Sequence, residues 1–330
     1  MRFYYVYKAL AHPENNDYVP PFTLAERLMH VQEAKQKTGS RIPWLCDSMQ
    51  NDLKHAMGDR PNSEFIVDPE GRIIVSRDWS SPDDLRQDLT ELVGAPARVT
   101  TVAELDMKPV PPAHAAPTGI VSRLTLPSGM VPLQVEPVIR AEDQPFYVKL
   151  RAEGDAELLQ TGTGKLYLGF MLDPLYHVHW NNDAMPVMFE VTKSTGLVAG
   201  TTEGEAAEVD APADADPREF LMDVCGYLVE PGQQFTQELT IQVRYFACDD
   251  AQTFCKPVTQ TYVIRLQRDR DGGARRTGGR PGNLNRRPFQ REASPLIQPG
   301  SAPGQRGNAA DREAMMRRRQ LLQRRRQMQQ

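Results

Sequence analysis

The sequence predicts a multidomain chain in which a mixed α/β domain is followed by an all-β domain and a basic tail. Three observations predict this fold class. Helix and strand patterns alternate along residues 1–95, whereas residues 119–267 contain short segments of alternating polarity with little helical periodicity. Arginine is concentrated at the carboxyl end. With 330 residues, 40% of them hydrophobic, the chain is long enough for one to three domains with real cores.

The first domain, residues 1–95, is predicted to alternate strands and helices. Thr23 and Glu26 have the spacing of a capping box, which marks the start of the first helix. The phrase Asp68-Pro69-Glu70-Gly71 predicts a turn. The predicted elements are strand Phe3–Tyr7, the helix after Thr23, strand Ile42–Cys46, a short helix near Asn51–Met57, strand Phe65–Val67, strand Ile73–Ser76 and a helix from about Ser81 to Val93. This order fits a thioredoxin-like α/β sandwich that lacks its first β-α unit.

Four phrases within residues 3–92 resemble the iodothyronine deiodinase-like branch of the thioredoxin superfamily. In order, they are VYKALAHP, LAERL, LCDSMQNDLKHAMGDRP and SEFIVDPEGRIIVSRDWSSPDDLRQDL. The resemblance implies that His12 corresponds to the family's active-site histidine. It also implies that the redox residue, Cys or selenocysteine, belongs to a β-α unit before the aromatic strand, where this chain has not yet begun. Leu10 stands where the family has an acidic residue.

Three further expectations concern the first domain and the start of the chain. Cys46 ends a predicted buried strand and is expected to pack rather than react, because a free cysteine behaves as a small apolar residue. Pro61 lies where thioredoxin-like folds tend to have a cis-proline, and a trans turn proline is the alternative. The chain opens on a strand without a secretory leader, so a missing N-terminal segment is expected. It has no apolar run of about 18 residues, so no transmembrane helix is predicted.

Residues 96–118 are rich in proline and alanine and predict a semi-extended linker, in which His114 is expected to be solvated. Residues 119–267 predict an all-β sandwich. The acidic stretch Glu203–Asp216 is predicted to be a solvated loop. The predicted strands are Leu133–Val138, Phe146–Leu150, Lys165–Leu172, Val187–Val191, Phe220–Val229, Glu238–Phe246 and Val258–Leu266.

Cys248 and Cys255 are separated by six residues, with a strand pattern on each side. Two strands joined by this loop can bring the Cα atoms within the roughly 4.4–6.8 Å that a disulfide needs. Two interpretations remain open, a structural bridge that closes a small loop and a redox site near the surface. The residue types alone favour the structural bridge. Cys225 is predicted to pack on a strand, although pairing with Cys248 or Cys255 is the alternative.

The phrase around this pair, LTIQVRYFACDDAQTFCKPVTQTYVIRL, resembles the end of the amino-terminal domain in the family of the thiol:disulfide interchange protein DsbD. Upstream, GKLYLGFMLDPLYHVHWNNDAMPVMFEV is similar to the same family's segment with an aromatic-His turn followed by Trp-Asn. The resemblance covers about residues 118–267. It implies an immunoglobulin-like sandwich on which Cys248 and Cys255 carry electrons to a thiol or disulfide protein partner. It further implies a periplasmic or otherwise extracytoplasmic location and no cofactor.

The residues around the pair refine the functional hypothesis. Tyr245, Phe246 and Phe254 are expected to shield the sulfurs. The loop has no Lys, Arg or His before Cys255, and Asp249 and Asp250 disfavour a thiolate, so an electron relay is predicted rather than a strong oxidant. The competing hypothesis is a non-enzymatic binding or scaffold protein with a structural disulfide and a degenerate thioredoxin-like domain.

His177 and His179 would point to one face of an extended segment, which makes a metal pair conceivable. A zinc site needs three or four ligands, so Asp173 or Asp183 would have to complete it. A polar strand face beside an aromatic turn is the favoured interpretation, and no metal is predicted.

The charge is divided unevenly along the chain. Residues 268–330 contain 16 of the 39 basic residues and 5 of the 43 acidic ones, which gives the tail a net charge of +11 and the preceding residues −15. The tail is predicted to be disordered to about Ala310, with a basic helix at 311–330. It is expected to bind an acidic surface, a membrane face or nucleic acid non-specifically. A solvated charged tail is the alternative.

Overall fold

The computed structural model describes residues 1–14, 18–109, 112–140, 145–195, 197–226 and 237–273. These residues all belong to one compact unit that spans Met1–Pro281. The predicted disorder of the tail and its helix at 311–330 lie outside the described residues. No helix within the described ranges is long and apolar enough to cross a membrane.

The N-terminal region, residues 1–95, has its helices and strands in the predicted order. β1 pairs in parallel with β2, and β3 pairs antiparallel with β4. These pairs form two separate sheets, so a continuous thioredoxin-like sheet is not present in the described part of the region. The elements are β1 (Tyr5–Tyr7), α1 (Leu24–Thr38), β2 (Trp44–Cys46), α2 (Asp52–Ala56), β3 (Glu64–Val67), β4 (Ile73–Arg77) and α3 (Pro82–Val93).

Local sequence signals set the ends of α1. The Thr23 hydroxyl accepts a hydrogen bond from the Glu26 amide at 3.2 Å, and the Glu26 carboxylate accepts one from the Thr23 amide at 3.2 Å. The predicted capping box is therefore confirmed. The helix ends at Gly39, whose φ of 59° suits glycine. A Cβ at this position would also lie 2.8 Å from the backbone of Asp106, so the linker packs directly against the end of the helix. None of the peptide bonds in the described ranges is cis, and Pro61 is therefore trans.

The β-rich region, residues 119–268, forms one continuous, nearly closed path of antiparallel strands. β5 pairs with β6 at Val131 and Pro132 and then with β15, so it joins the two halves of the sheet. The path runs β10-β13-β7-β6-β5-β15-β14-β8-β12, and β9 pairs with β14 and β11. This arrangement is compatible with the predicted β sandwich. The elements are β5 (Val131–Pro137), β6 (Val148–Gly154), α4 (Ala156–Thr161), β7 (Gly164–Leu172), a 3₁₀ turn (Pro174–Tyr176), β8 (Val178–Asn181), β9 (Met188–Thr195), β10 (Leu197–Ala199), β11 (Glu203–Glu205), β12 (Ala213–Asp214), β13 (Arg218–Gly226), β14 (Glu238–Asp249) and β15 (Cys255–Arg268).

The acidic stretch 203–216 corrects one prediction. It contains β11 and β12, and the side chains of Asp214 and Asp216 are buried, so the prediction of a solvated loop is wrong there. Arg218 forms a two-bond ion pair with Asp214, at 2.7 and 2.9 Å. Asp216 accepts three backbone hydrogen bonds from residues 119–121, at 2.6 to 2.8 Å. These carboxylates can be buried because each has hydrogen-bonding partners. The stretch itself does not reveal those partners, which is why its sequence predicted a solvated loop.

The hydrophobic core lies within the β-rich region. All its fully buried members come from residues 133–264, and Phe22 packs against its edge from the N-terminal region. Because alternate residues of β14 and β15 face this core, the intervening residues face outward. Central members of the core are Val148, Leu166, Leu168, Phe170, Val224, Leu239, Ile241, Val243, Tyr262 and Ile264.

A buried ionic cluster, formed by Glu26, Lys149, Asp173 and Tyr176, joins α1 to the β-rich region. Lys149 Nζ lies 2.5 Å from Glu26 Oε1 and 3.3 Å from Asp173 Oδ2, and the Tyr176 hydroxyl donates to Glu26 Oε1 at 2.6 Å. Burial opposes ionisation of Glu26, but the Lys149 ammonium and these hydrogen bonds hold its pKa below the usual value. Burial raises the pKa of Asp173 to about 6. Two carboxyl groups therefore share one ammonium in a water-excluded contact.

A second contact comes from the 269–273 segment, which follows β15 and returns to the N-terminal region. The Asp271 carboxylate accepts a hydrogen bond from Asn51 Nδ2 at 2.8 Å, lies 3.2 Å from His55 Nε2 and is also paired with Lys54. The carbonyl oxygens at 272 and 273 accept hydrogen bonds from the buried Arg151 guanidinium, at 2.5 and 3.2 Å. This segment thus binds both regions.

Candidate functional site

Cys248 and Cys255 form a disulfide at the end of the β14–β15 hairpin. The two strands are in register from Glu238 opposite Arg265 to Cys248 opposite Cys255. The Cα atoms of the cysteines lie 4.0 Å apart, slightly closer than the predicted range. The predicted bridge is confirmed, and the alternative in which Cys225 replaces one partner is wrong, because Cys225 is free and exposed on β13.

The two sulfur-bearing residues differ in exposure. Cys248 is only 7% exposed, whereas Cys255 is exposed. Tyr245 and Ala247 face the core, so the period of two along β14 places Cys248 on the outer face of the sheet. Cys255 is therefore the more accessible residue of the pair.

The Asp249 carboxylate organises the loop between the cysteines. Its Oδ1 accepts hydrogen bonds from the backbone amides of Thr253 and Phe254 at 2.6 and 2.8 Å, and its Oδ2 accepts one from the Thr253 hydroxyl at 2.8 Å. The Phe254 amide is the main cause of a pKa below the usual value for Asp249. The negative charge that was expected to disfavour a thiolate is thus engaged by loop donors.

Strand β8 places polar side chains beside both cysteines. His179 is directly opposite Cys248 in the β8–β14 register. Asn181 Nδ2 donates to Cys255 Sγ at 3.3 Å. His179 Nδ1 lies 2.9 Å from Asp250 Oδ1, so the second loop aspartate is also engaged.

The sequence pattern indicated a polar strand face for His179, with a metal ligand as the alternative, and connected neither His179 nor Asn181 with the disulfide. Their spacing of two on a strand was a visible signal that they share a face. The β8–β14 register, which brings that face to the cysteines, depends on tertiary pairing that no local pattern reveals.

The three aromatic residues predicted to shield the pair occupy different environments. Tyr245 packs in the core on the opposite face of β14, and its hydroxyl donates to Gln260 Oε1 at 2.7 Å. Phe246 is half-buried on the outer face. The centroid of the Phe254 ring lies 5.9 Å from that of the Tyr147 ring. It lies 4.5 Å from Lys256 Nζ. Phe246 therefore shares the outer face with the cysteines, whereas Tyr245 lies on the opposite face and Phe254 packs against the edge of the core.

The remaining predicted site residues are placed as follows. His12 is exposed in the N-terminal region, and none of the described contacts joins it to the disulfide. His177 ends the 3₁₀ turn with a φ of 50° rather than lying in an extended segment beside His179. Within the described residues, no group of three or more His, Cys, Asp or Glu is arranged to hold a metal ion.

A cavity of about 310 Å³ adjoins the disulfide through Asn181. It lies between the 182–187 turn and the 206–210 segment, and its walls include Met185, Glu208 and Phe246. The walls are mixed in polarity.

Comparisons of the chain with protein-family models, with curated proteins and with solved structures find no match. The resemblances to the deiodinase-like and DsbD families therefore stay predictions from short phrases. The function is argued from the site itself.

Proposed function

We propose that the protein is an extracytoplasmic thiol–disulfide exchange protein that relays electrons between the Cys248–Cys255 pair and a thiol or disulfide protein partner. The unequal exposure of the two cysteines is the observation on which the proposal rests. A bridge with one exposed and one nearly buried cysteine offers a single sulfur to an attacking thiolate. Attack on Cys255 forms a mixed disulfide with the partner and releases Cys248.

The surroundings of the pair support exchange. Asn181 donates to Cys255 Sγ at 3.3 Å, and a donor at this distance stabilises negative charge when that sulfur becomes a thiolate. Asp249 and Asp250 are both engaged by hydrogen-bonding partners, which reduces their opposition to a thiolate. The chemistry requires only thiols and disulfides, so we propose no cofactor.

We propose that the β-rich region is an immunoglobulin-like sandwich related to the amino-terminal domain of the DsbD family. The nearly closed antiparallel path and the hairpin disulfide support this assignment. We also propose that the N-terminal region is a thioredoxin-like domain. Its order of elements supports this assignment, and burial raises the pKa of its Cys46 thiol, which makes that thiol a poor nucleophile.

The location and the role of the tail belong to the same proposal. Disulfides persist in oxidising compartments, so a bridged pair supports a periplasmic or other extracytoplasmic location. The tail, with its net charge of +11, is proposed to attach the protein to an acidic surface, a membrane face or nucleic acid without sequence preference.

The reduction potential of the Cys248–Cys255 bridge tests the proposal. A Cys46→Ser/Cys225→Ser background leaves two cysteines, so alkylation and mass measurement after equilibration in dithiol buffers report this pair alone. We expect a potential above about −300 mV, in the range of exchanging disulfides. A value below that limit would show a structural bridge and would support the scaffold hypothesis.

One observation favours that scaffold hypothesis. The bridge closes a loop that Asp249 already holds by three hydrogen bonds, as a structural staple would. A staple of this length contributes about 2–3 kcal/mol to stability in the chain-entropy model. If the bridge stabilises the folded protein by this amount and is not reduced in any of the dithiol buffers, the scaffold hypothesis is supported.

A further inference from the structure

The outer face of β8 gives each sulfur of the bridge its own polar neighbour. His179 is directly opposite Cys248, on the side of β14 away from β15. Directly opposed residues of antiparallel strands have Cβ atoms about 4.5–5.5 Å apart and point to the same face. Asn181, two residues further along β8, contacts Cys255 Sγ. The buried cysteine thus has a histidine opposite it in the register, and the exposed cysteine accepts a hydrogen bond from an amide.

Asp250 fixes the orientation of the imidazole. Asp250 Oδ1 lies 2.9 Å from His179 Nδ1, and an ionised carboxylate can only accept, so Nδ1 must bear a proton. In the neutral ring, Nε2 is then the free acceptor. Asp250 is itself held in place, because its Oδ2 accepts a hydrogen bond from the Ala115 amide at 3.1 Å and its own amide donates to the His177 carbonyl at 2.8 Å.

We propose that His179, oriented by Asp250, donates a proton to the Cys248 sulfur when the bridge opens and removes it when the bridge closes. This inference deepens the proposed exchange function and rests on it. It assigns the acid–base role to a residue outside the cysteine loop, whereas the loop itself contains no His, Lys or Arg.

Each step of the exchange balances. A thiolate of a dithiol partner attacks Cys255 Sγ, the bond between the two cysteine sulfurs breaks, and its electron pair leaves on Cys248 Sγ. The His179 imidazolium gives its proton to that sulfur. The second thiol of the partner loses its proton to solvent, attacks the partner's own sulfur in the mixed disulfide and releases the Cys255 thiolate beside Asn181. Solvent then supplies one proton to the Cys255 thiolate and one to the neutral His179 imidazole. The partner has lost two electrons and, to solvent, two protons, and the bridge has become a dithiol.

Other charged or titratable residues flank His179 in the chain or in the register. His177 and Asp183 lie on the turns beside its strand, and His114 precedes Ala115, whose amide contacts Asp250. On the paired strands and their loop are Cys248, Asp249, Asp250, Cys255 and Lys256. Asp249 is engaged by its loop, and Asp250 is the group with which His179 pairs directly.

A purely structural role for the His179–Asp250 pair, as a clamp between β8 and the loop, makes a different prediction from an acid–base role. A clamp affects stability alone. An imidazolium next to Cys248 also lowers the pH at which the Cys248 thiolate forms, because an opposite charge nearby favours the ionised sulfur.

The first experiment measures thiolate absorbance at 240 nm against pH in Cys46→Ser/Cys225→Ser/Cys255→Ser protein, in which Cys248 is the one remaining thiol. We expect His179→Gln to move the thiolate transition upward by about one pH unit or more. His177→Asn is the matched control, since it removes a nearby exposed imidazole while asparagine suits the positive φ at that position, and it should leave the transition unchanged. Coincident transitions in the parent and His179→Gln proteins would overturn the inference.

His179→Asn provides a second variant if His179→Gln fails to fold. Its amide can still donate to Asp250 but has no ionisable group. We expect an upward shift in the same direction as that of His179→Gln. No shift would count against the proposal.

The second experiment measures the rate at which dithiothreitol reduces the bridge at each pH from 5 to 9. Each rate is divided by the fraction of dithiothreitol present as thiolate at that pH, which gives a corrected rate. With His179 present, this corrected rate should be higher at acidic than at basic pH, because only a protonated imidazole can give its proton to the departing sulfur. In His179→Gln the corrected rate should be flat. Reduction with the same corrected profile in both proteins overturns the acid–base role and leaves the exchange function standing. A bridge that resists dithiothreitol in both overturns the exchange function, while the absorbance test still reports on His179.

Discussion

The N-terminal region and the β-rich region are stabilised by different interactions. The β-rich region buries a continuous apolar core, whereas Val19 and Val31 are the buried hydrophobic residues described in residues 1–95. The N-terminal region buries polar side chains instead, namely Glu14, Glu26, Arg27, His30, Asp47, Asn51 and Glu64. It leaves large apolar side chains exposed, among them Tyr4, Tyr5, Leu24, Leu45 and Trp79.

This difference shows that one region can depend on another for its order. An apolar core stabilises through many small contacts, so no single partner is indispensable. Buried polar groups need particular partners, and Glu26 finds its partner, Lys149, on β6. We therefore expect the N-terminal region to unfold before the β-rich region, and the following predictions test that expectation from the largest effect to the smallest.

The largest effect should come from Lys149→Met. It leaves Glu26 and Asp173 buried without their ammonium, and breaking a buried ion pair from one side costs about 3–5 kcal/mol. Trp44 and Trp79 report on the N-terminal region and Trp180 on the core, so fluorescence of single-tryptophan variants during urea unfolding should show the loss mainly in the first two. Lys193→Met removes an exposed ammonium from β9 and should change stability by about 0.5 kcal/mol or less. Equal effects of the two substitutions would contradict the role of the cluster.

The next largest effect compares apolar positions in the two regions. Leu168→Ala, at a fully buried site, should destabilise the protein by about 2–5 kcal/mol through lost contacts and a cavity. Leu28→Ala on α1, where the side chain is 44% exposed, should cost about 0.5 kcal/mol. Urea denaturation followed by circular dichroism measures both. A large effect at Leu28 would show that the exposed apolar face of α1 is covered by contacts beyond those described.

The smallest of the three effects concerns pH. Burial raises the pKa of Asp173 to about 6, so the folded protein binds this proton more tightly than the unfolded chain does. The contribution of Asp173 is therefore most favourable below about pH 4 and is lost as the pH rises to about 6, a change of about 2–3 kcal/mol. Asp173→Asn keeps an oxygen to accept from the Leu175 amide and should remove this part of the pH dependence.

Unfolding free energies of wild type and Asp173→Asn at pH 4 and pH 7 measure this difference. Asp183→Asn, at an exposed carboxylate, is the control and should change the pH dependence little. An Asp173→Asn curve parallel to that of the wild type would show that Lys149 compensates the buried charge fully.

The sequence predicted the features that depend on local patterns. Alternation identified most strands of the β-rich region, the capping box located α1, and the strand patterns around Cys248 and Cys255 predicted their bridge. The features that it missed depend on which strands become neighbours. Glu26 is separated from Lys149 by 123 residues, and nothing local marks either as a partner of the other.

The site shows the same limit. The cysteines were found because both ends of their hairpin are visible in one short phrase. His179 was weighed as a metal ligand because its nearest visible neighbour was His177, whereas its structural neighbours Cys248 and Asp250 lie on β14 and in the following loop. Likewise, Asp214 and Asp216 are buried because Arg218 and the backbone amides of residues 119–121 bind them. The acidic composition of the stretch predicts only a solvated surface and does not reveal these partners.

The 269–273 segment has a consequence for how the chain responds to cleavage. Residues 1–95 are connected covalently to the β-rich region through the linker alone. Asp271, just after β15, also binds Asn51, Lys54 and His55. A single protease cut in the linker would therefore leave two fragments that stay associated and elute together. The N-terminal fragment is released only when the Asp271 contacts and the buried Glu26–Lys149 cluster are broken as well, so these contacts give the two regions a non-covalent connection besides the linker.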